Sequence, residues 1–384
     1  MTVFDFVSAV SSGRLDSDFS QLYGGSDMEI LRQRTRFLSV SEQFSRLFPE
    51  REEIHIFSVP FCTEIAGSSA AGQHGIVISA ALNRDIIAVV SFHSDGVVRI
   101  CAEGHDVNEI ELSDISSQEN ERGTIGSAVR GIIAEAVSQG AEITGFDIFV
   151  SADIPEFDII SPAAAFEVLI LSVIDFCCGR CFDITRTVEI IGYDRDKYIS
   201  DRISCKTGGI VSVDFENPET LQVQEIESDI YSSGYSLCAV RICDYSGNEF
   251  SDYIEAVAKA TNCVFLGGAD EYGFKEISAL KRNNLNEFFR LVNESGLYSA
   301  YMCDICLAKS GSDNLFFPAL IMSRQILNSC GASQICINGS AGTVQAFVPS
   351  YMVKKYISEM EKIFGTKSCY AFSLRKTGAS EIKI

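Results

Sequence analysis

Apolar and polar positions along the 384-residue chain repeat with two different periods, one helical and one alternating. Phe37, Val40, Phe44, Leu47 and Phe48 fall along one face and Pro49 follows them, which predicts a helix over residues 28–48. Alternating runs predict strands over 54–59, 75–82, 85–92 and 97–102, with Asp95-Gly96 as a hairpin turn between the last two. Helical spacing returns over Gly123–Gln139 and stops at Gly140, and Gly145–Ser151 (GFDIFVS) reads as a half-buried strand. Pro162–Cys177 reads as a buried helix with proline in its first turn, where a missing amide costs nothing. Asp201–Phe215 passes through Gly208-Gly209 into a strand, Glu216-Asn217-Pro218 is a turn, and Leu221–Ile226 alternates as the partner strand. Past residue 230 the pattern becomes strand Leu237–Ile242, several helices, then strand, glycine-rich loop, strand, helix and strand.

Hairpins mixed with layered helices in both halves predict an α+β architecture. The expected boundary lies near 215–230, giving an N-terminal domain over 1–220 and a C-terminal domain over 221–384. No internal repeat or low-complexity linker is visible. An apolar content of 46% against 22% charged residues is enough for two large cores and rules out a disordered composition.

Thirty-one basic against 52 acidic residues give a net charge of −21 without a basic cluster, which argues against a nucleic-acid partner. The most apolar run, Phe166–Cys178, is too short to span a bilayer and carries Glu167 and Asp175, so no membrane association is expected. The start, MTVFDFVSAV, has neither a basic leader nor a small-residue cleavage site, and a cytoplasmic protein is the expectation. Fourteen cysteines in a chain of this character read as reduced, mostly buried thiols. Two C-x-x-C pairs, Cys178–Cys181 and Cys303–Cys306, have the spacing of a split zinc site, but their apolar helical surroundings favour core positions and no metal is expected. All four histidines lie at or before His105, which excludes a histidine base in the second half and weakens any Ser-His or Cys-His hydrolase reading.

The stretch Val59–Gly75 (VPFCTEIAGSSAAGQHG) lies as a loop between apolar strands, the setting in which a substrate site is commonly built. Its framing residues Pro60, Thr63, Glu64, Ile65, Gly67, Gln73, His74 and Gly75 resemble the sugar signature of galactokinases, roughly A-P-G-R-T-E-I-G-G-N-H-T-D-H-Q-H-G. Residues 22–59, Gly209–Pro218 (GIVSVDFENP), Gly234–Val240 (GYSLCAV), Leu291–Gly296 (LVNESG) and Thr343–Pro349 (TVQAFVP) match the same branch in spacing and order. The chain thus resembles, over nearly its whole length, the galactokinase branch of the GHMP small-molecule kinases. The resemblance implies a two-domain GHMP-kinase-like α+β fold with the ligand cleft between the domains, a sugar-like ligand, and Mg-ATP as cofactor for any retained kinase activity.

The positions that carry the family's chemistry are altered in four separate places. Cys62, Ser68, Ser69 and Ala71 replace the arginine and the polar residues of the sugar signature. Against a phosphate loop of the type G-S-G-L-S-S-S-A-A, this chain has Phe157–Ala165 (FDIISPAAA) preceded by Glu156. Glu156 and Asp158 are anionic there, Ser161 remains, and Pro162 and Ala163 replace serines. Carboxylates at that position oppose a triphosphate, and proline removes an amide donor. Asp201 aligns with the catalytic base of a C-G-L-M-D-Q pattern, but Tyr198, Ile199, Ser200 and Arg202 replace its neighbours; Glu189 matches the magnesium-binding glutamate by spacing alone. The glycine loop H-G-G-G-F-A-G is reduced to Cys336–Gly342 (CINGSAG), retaining Gly339, Ala341 and Gly342. Asp252 and Tyr253 fit the end of a D-x-T-D-D-Y element, whereas Arg241, Ile242 and Cys243 replace what precedes it. The leading expectation is a galactokinase-like pseudoenzyme with a small-ligand or regulatory role. The alternative is an active sugar kinase of altered specificity with Asp201 as base. A structural partner of another protein is the third reading; no protein partner is named by the sequence.

Overall fold

The first sheet carries apolar side chains on both faces, and this dictates the layers around it. Along β1 (His55–Gly67), β2 (Ile76–His93) and β5 (Gly145–Ala152), residues Ile56, Ile87, Val89 and Phe149 point to one side. Phe57, Val59, Ile86, Ala88, Val90, Phe146, Ile148 and Val150 point to the other. The first side is covered by α1 (Val3–Ser12), α2 (Asp16–Tyr23) and α3 (Asp27–Leu47), whose Phe6, Phe19 and Phe37 rings pack together. The second is covered by α4 (Ile125–Ser138), α5 (Pro162–Cys177), α6 (Ile184–Ile191) and α7 (Ile199–Thr207). The computed structural model describes the chain apart from residues 68–74, 119–120, 122, 155–159, 161, 180–181, 192–198, 217–220, 245–268, 311–315 and 339–340.

Strand order in this sheet is β12-β1-β2-β5-β3-β4, with β3 at Val97–Ala102, β4 at Asn108–Glu111 and β12 at Ser380–Ile382. β6 (Ile210–Asp214) pairs antiparallel with β7 (Gln222–Glu225), the partner strand that the alternation over 221–226 predicts, and also with β2. Three local expectations are corrected. The runs 75–82 and 85–92 form one strand, because the polar residues between them find partners in neighbouring segments: Asn83 bonds Tyr23 and Ser373, and Arg84 pairs with Asp153. Asp95-Gly96 turns the chain, but β2 and β3 are not a hairpin, because β5 lies between them, antiparallel to β2 and parallel to β3. Local turn chemistry carries no signal for that long-range insertion. Finally, the residues read as a loop from Val59 onward continue β1 as far as Gly67.

The second sheet has the order β11-β8-β10-β9, built from β8 (Tyr235–Asp244), β9 (Ala332–Asn338), β10 (Ala341–Pro349) and β11 (Cys369–Phe372). Cys238, Val240 and Ile242 of β8 face α10 (Phe316–Leu327) and α11 (Val353–Phe364). Leu237 and Ala239 face the other way and join Phe288 and Phe347 in the same apolar core that fills the helical side of the first sheet. Helices α8 (Ala269–Lys281) and α9 (Leu285–Ser310) contribute to this shared core, and α8 packs against β1 and β2. The result is a mixed helix and sheet fold, α+β as expected. We keep the division at residue 220 as a proposal for the bulk of the chain only, since β7 and β12 beyond it hydrogen-bond into the first sheet. Among the described residues no helix is long and apolar enough to cross a membrane.

A fully buried carboxylate ties the layers together. Asp85 on β2 accepts hydrogen bonds from Tyr23 Oη (2.6 Å), Ser58 Oγ (2.5 Å), Arg36 Nη1 (2.6 Å) and Arg375 Nη1 (3.2 Å). Burial pushes this carboxyl up, but the two guanidiniums and the two hydroxyls prevail and hold it below the ordinary carboxylate range. The Arg375 and Asp85 side chains are both 0% exposed. Replacing Arg375 by alanine leaves part of a buried charge network unpaired, so R375A is expected to lose about 3–5 kcal/mol of unfolding free energy in denaturant titration. A loss below about 1 kcal/mol would show that the network does not carry this part of the fold.

Candidate functional site

The signature positions on β1 are presented by an irregular strand. Its ladder with β2 shifts register between Pro60 and Cys62 and again between Glu64 and Ala66. Irregularities of this kind re-aim side chains relative to a straight strand. Cys62, 1% exposed, faces α7: its thiol donates to the Asp201 carbonyl at 3.3 Å and receives the Cys205 thiol at 3.5 Å. The next residue, Thr63, reaches the second sheet, where Gln345 Nε2 of β10 donates to Thr63 Oγ1 at 2.6 Å. Cys336 of β9 is hydrogen-bonded by the Thr63 and Thr343 side chains, and Thr343 Oγ1 also donates to the Cys336 carbonyl at 3.0 Å. The two sheets therefore meet across β1 at the positions where the sequence places a ligand.

Negative charge reaches both buried thiols at the junction. The Cys62 thiol is pushed well up by its bond with Cys205, by burial and by the negative Asp201. Burial raises Cys336 likewise, and the Glu64 and Asp201 carboxylates add to it while the two threonine hydroxyls oppose it. Asp201 and Glu64 thus act on the same neutral thiol from two elements. Asp201 is 4% exposed, and Nε of the neighbouring Arg202 donates to Glu167 of α5 at 2.5 Å. The set Cys62, Thr63, Glu64, Asp201, Cys205, Cys336, Thr343 and Gln345 contains hydroxyl, amide, thiol and carboxylate groups but no cation. Such groups suit a neutral ligand rich in hydroxyls better than a polyanion.

Other expected positions divide between the described and the undescribed. Ile160, inside the segment compared with a phosphate loop, is 4% exposed and part of the shared core. Pro162 opens α5 and Ala163 is exposed beside it. Ala341 and Gly342 belong to β10 and pair with Asn338 and Ile337 of β9, so part of the expected glycine loop lies within paired strands. Glu189 lies in α6. Ser68, Ser69, Ala71, Glu156, Asp158, Ser161, Asp252, Tyr253 and Gly339 lie outside the described residues. Cys178 donates to the Glu142 carbonyl, Cys181 and the side chains of Cys303 and Cys306 are outside the described set, and no group of three metal-ligating side chains occurs among the described residues. A cavity of about 670 Å³ lies elsewhere, between α3 and the end of β5, lined by Arg32, Arg36, Glu103 and Asp153. It opens on the face of the sheet opposite α5 and α7, away from Asp201.

Sequence reasoning missed Cys205, Gln345 and Glu276, all of which touch β1. Glu276 left one usable signal, since helical spacing puts it on one face of α8 with Gly273 and the buried Leu280. Cys205 and Gln345 left none, because their partners lie 143 and 282 residues away.

No protein-family model matches the chain. It is 28% identical over 263 residues to galactokinase from Bacillus subtilis, covering 63% of this chain and 66% of that protein. It is 24% identical over 151 residues to galactokinase from Lactococcus lactis subsp. cremoris, covering 38% of each. The matched stretches thus span at most just under two thirds of these relatives. Among solved structures, Lactococcus lactis galactokinase complexed with galactose superposes with a TM-score of 0.71 at 16% identity, over 90% of this chain and 100% of that one. A mevalonate kinase superposes with a TM-score of 0.59 at 16% identity, over 84% and 99%. The fold is that of these kinases.

The thiol chemistry makes a prediction. In the native protein at pH 8, iodoacetamide is expected to label exposed Cys330 while Cys62, Cys205 and Cys336 react at least about tenfold more slowly, read by peptide mass spectrometry. Comparable rates at Cys62 and Cys330 would show that the junction is open to solvent.

Proposed function

We propose that this chain, a relative of the galactokinase branch of the GHMP small-molecule kinases, binds a neutral sugar-like ligand between its two sheets and has little or no ATP-dependent sugar phosphorylation. The observation that carries the proposal is the buried Cys62 thiol against α7, at the position where the resemblance puts the arginine that partners the catalytic aspartate. Phosphoryl transfer is catalysed chiefly by placing positive charge around the migrating group. The neutral Cys62 thiol supplies none, and the described Arg202 pairs with Glu167. Buried Ile160 and the proline that opens α5 also fit a structural helix start better than an open cradle of amides. The sugar side of the family's task is better supported, because Thr63, Glu64 and Asp201 supply the acceptors and donors that hydroxyl groups need. A cytoplasmic, regulatory role without a membrane partner belongs to the same proposal.

The burial of Asp201 among thiols favours one alternative, an active sugar kinase of altered specificity with this carboxylate as base and Mg-ATP as cofactor. Incubation with Mg-ATP and a panel of hexoses, followed by ADP release, separates the two readings. The expected result is release at the no-sugar background; turnover that D201A abolishes would establish the kinase and overturn the proposal. Denaturant unfolding tests the binding half. A sugar that occupies the junction at 100 times its Kd adds about 2.7 kcal/mol of stability, and Mg-ATP is expected to add none. Stabilisation by Mg-ATP alone would reverse the assignment.

A further inference from the structure

Glu276, in the third turn of α8, is 0% exposed and has no ion-pair partner among the described residues. Its Oε2 accepts the backbone N–H of Gly67, the last residue of β1, at 2.8 Å. Its Oε1 lies 3.2 Å from Ser295 Oγ of α9. Ser295 Oγ also lies 3.3 Å from the Val292 carbonyl. A hydroxyl has one hydrogen but can accept as well. If Ser295 donates to Val292, the neutral acid donates from Oε1 to Ser295 and accepts from Gly67 at Oε2, and every group is satisfied. The ionised form must take the serine's hydrogen from Val292 and still lacks a counter-charge.

The same face of α8 also holds the start of β2. Gly273, one turn before Glu276, lies so close to Ile76 that a Cβ on it would stand 2.9 Å from the Ile76 Cβ. Gly67 itself has φ +93°, and a Cβ there would collide with the Ile76 carbonyl. One helical face of the C-terminal half therefore seats on both ends of the segment 68–74 that the sugar signature spans.

We propose that Glu276 is a positioning residue, which seats α8 on the ends of β1 and β2 while its carboxyl is protonated and loosens that seat when it ionises. Burial drives the group towards its neutral form, only partly opposed by the Gly67 and Ser295 hydrogen bonds, and pushes it up to about 7. A carboxyl raised in this way contributes fully to the folded state at acidic pH, and the contribution is lost as pH rises through 7. Among the described residues no other charge faces it. Arg290 and Glu294 of α9 pair with each other on the exposed surface, Glu64 of β1 acts on Cys336, and β2 presents Ile76. Lys275, the adjacent residue on α8, is exposed.

This inference deepens the ligand-binding reading, since the seat borders the sugar signature, but its test requires no ligand. Hydrogen exchange of the Gly67 amide in the unliganded protein, divided by the intrinsic chemical rate, is expected to rise about tenfold between about pH 6 and about pH 8.5. In E276Q, whose amide reproduces the acid's donor and acceptor, the corrected rate is expected to stay flat over that range. A flat wild-type profile overturns the proposal without any variant, and a rise in E276Q equal to that of the wild type overturns it as well. Failure of the sugar to bind in the unfolding assay would leave this profile unchanged, so the two readings fail separately.

Discussion

The fold depends most on one buried carboxylate and the four groups that neutralise it. Asp85 is reached by Tyr23 from α2, Arg36 from α3, Ser58 from β1 and Arg375 from the chain's last thirty residues. A charge with no exposure is tolerated only when it is paired and hydrogen-bonded throughout. The N-terminal helices, the first two strands and the C-terminal segment must therefore all be in place at once. Because Asp85 stands opposite Pro60 in the ladder, the same constraint sets where β1 begins its irregular stretch and hence how Cys62, Thr63 and Glu64 are aimed.

The junction between the sheets follows from that aim. β1 is packed by helices on one side and reached by Gln345 and Cys336 on the other, so small uncharged thiols fill positions that a longer cationic side chain could occupy only beside Asp201. A core that continues from the first sheet through Phe288 and Phe347 to Leu237 joins the two halves by apolar contact, beside the Arg375–Asp85 pair. In this sense a scaffold and the chemistry hosted on it are separable.

Much of the fold was legible in the residues. α5 runs over the residues that its proline and apolar run mark out, α3 begins one residue before its expected start, and β6 and β7 pair as the alternation on either side of 216–218 indicates. These elements are decided by local period, capping and turn chemistry. The break expected at Asn83-Arg84 did not occur because Tyr23, Ser373 and Asp153 satisfy those polar groups from far along the chain. Of the site, Asp201, Cys62 and Glu64 were named from the resemblance, whereas Glu276, Cys205 and Gln345 were not.

By itself, the sequence determined most of the helices and strands and where the chain departs from the galactokinase signatures it resembles. These properties are written in period and residue type. It read Gly145–Ser151 as half-buried, however, where the fold buries β5 on both faces. Only the tertiary structure decided that β5 separates β2 from β3, that Cys62 meets Cys205, and that an acid on α8 lies against the end of β1. Such facts depend on which distant segments are brought within a few ångströms, and burial then determines whether a carboxyl is ionised or neutral. No local pattern records either.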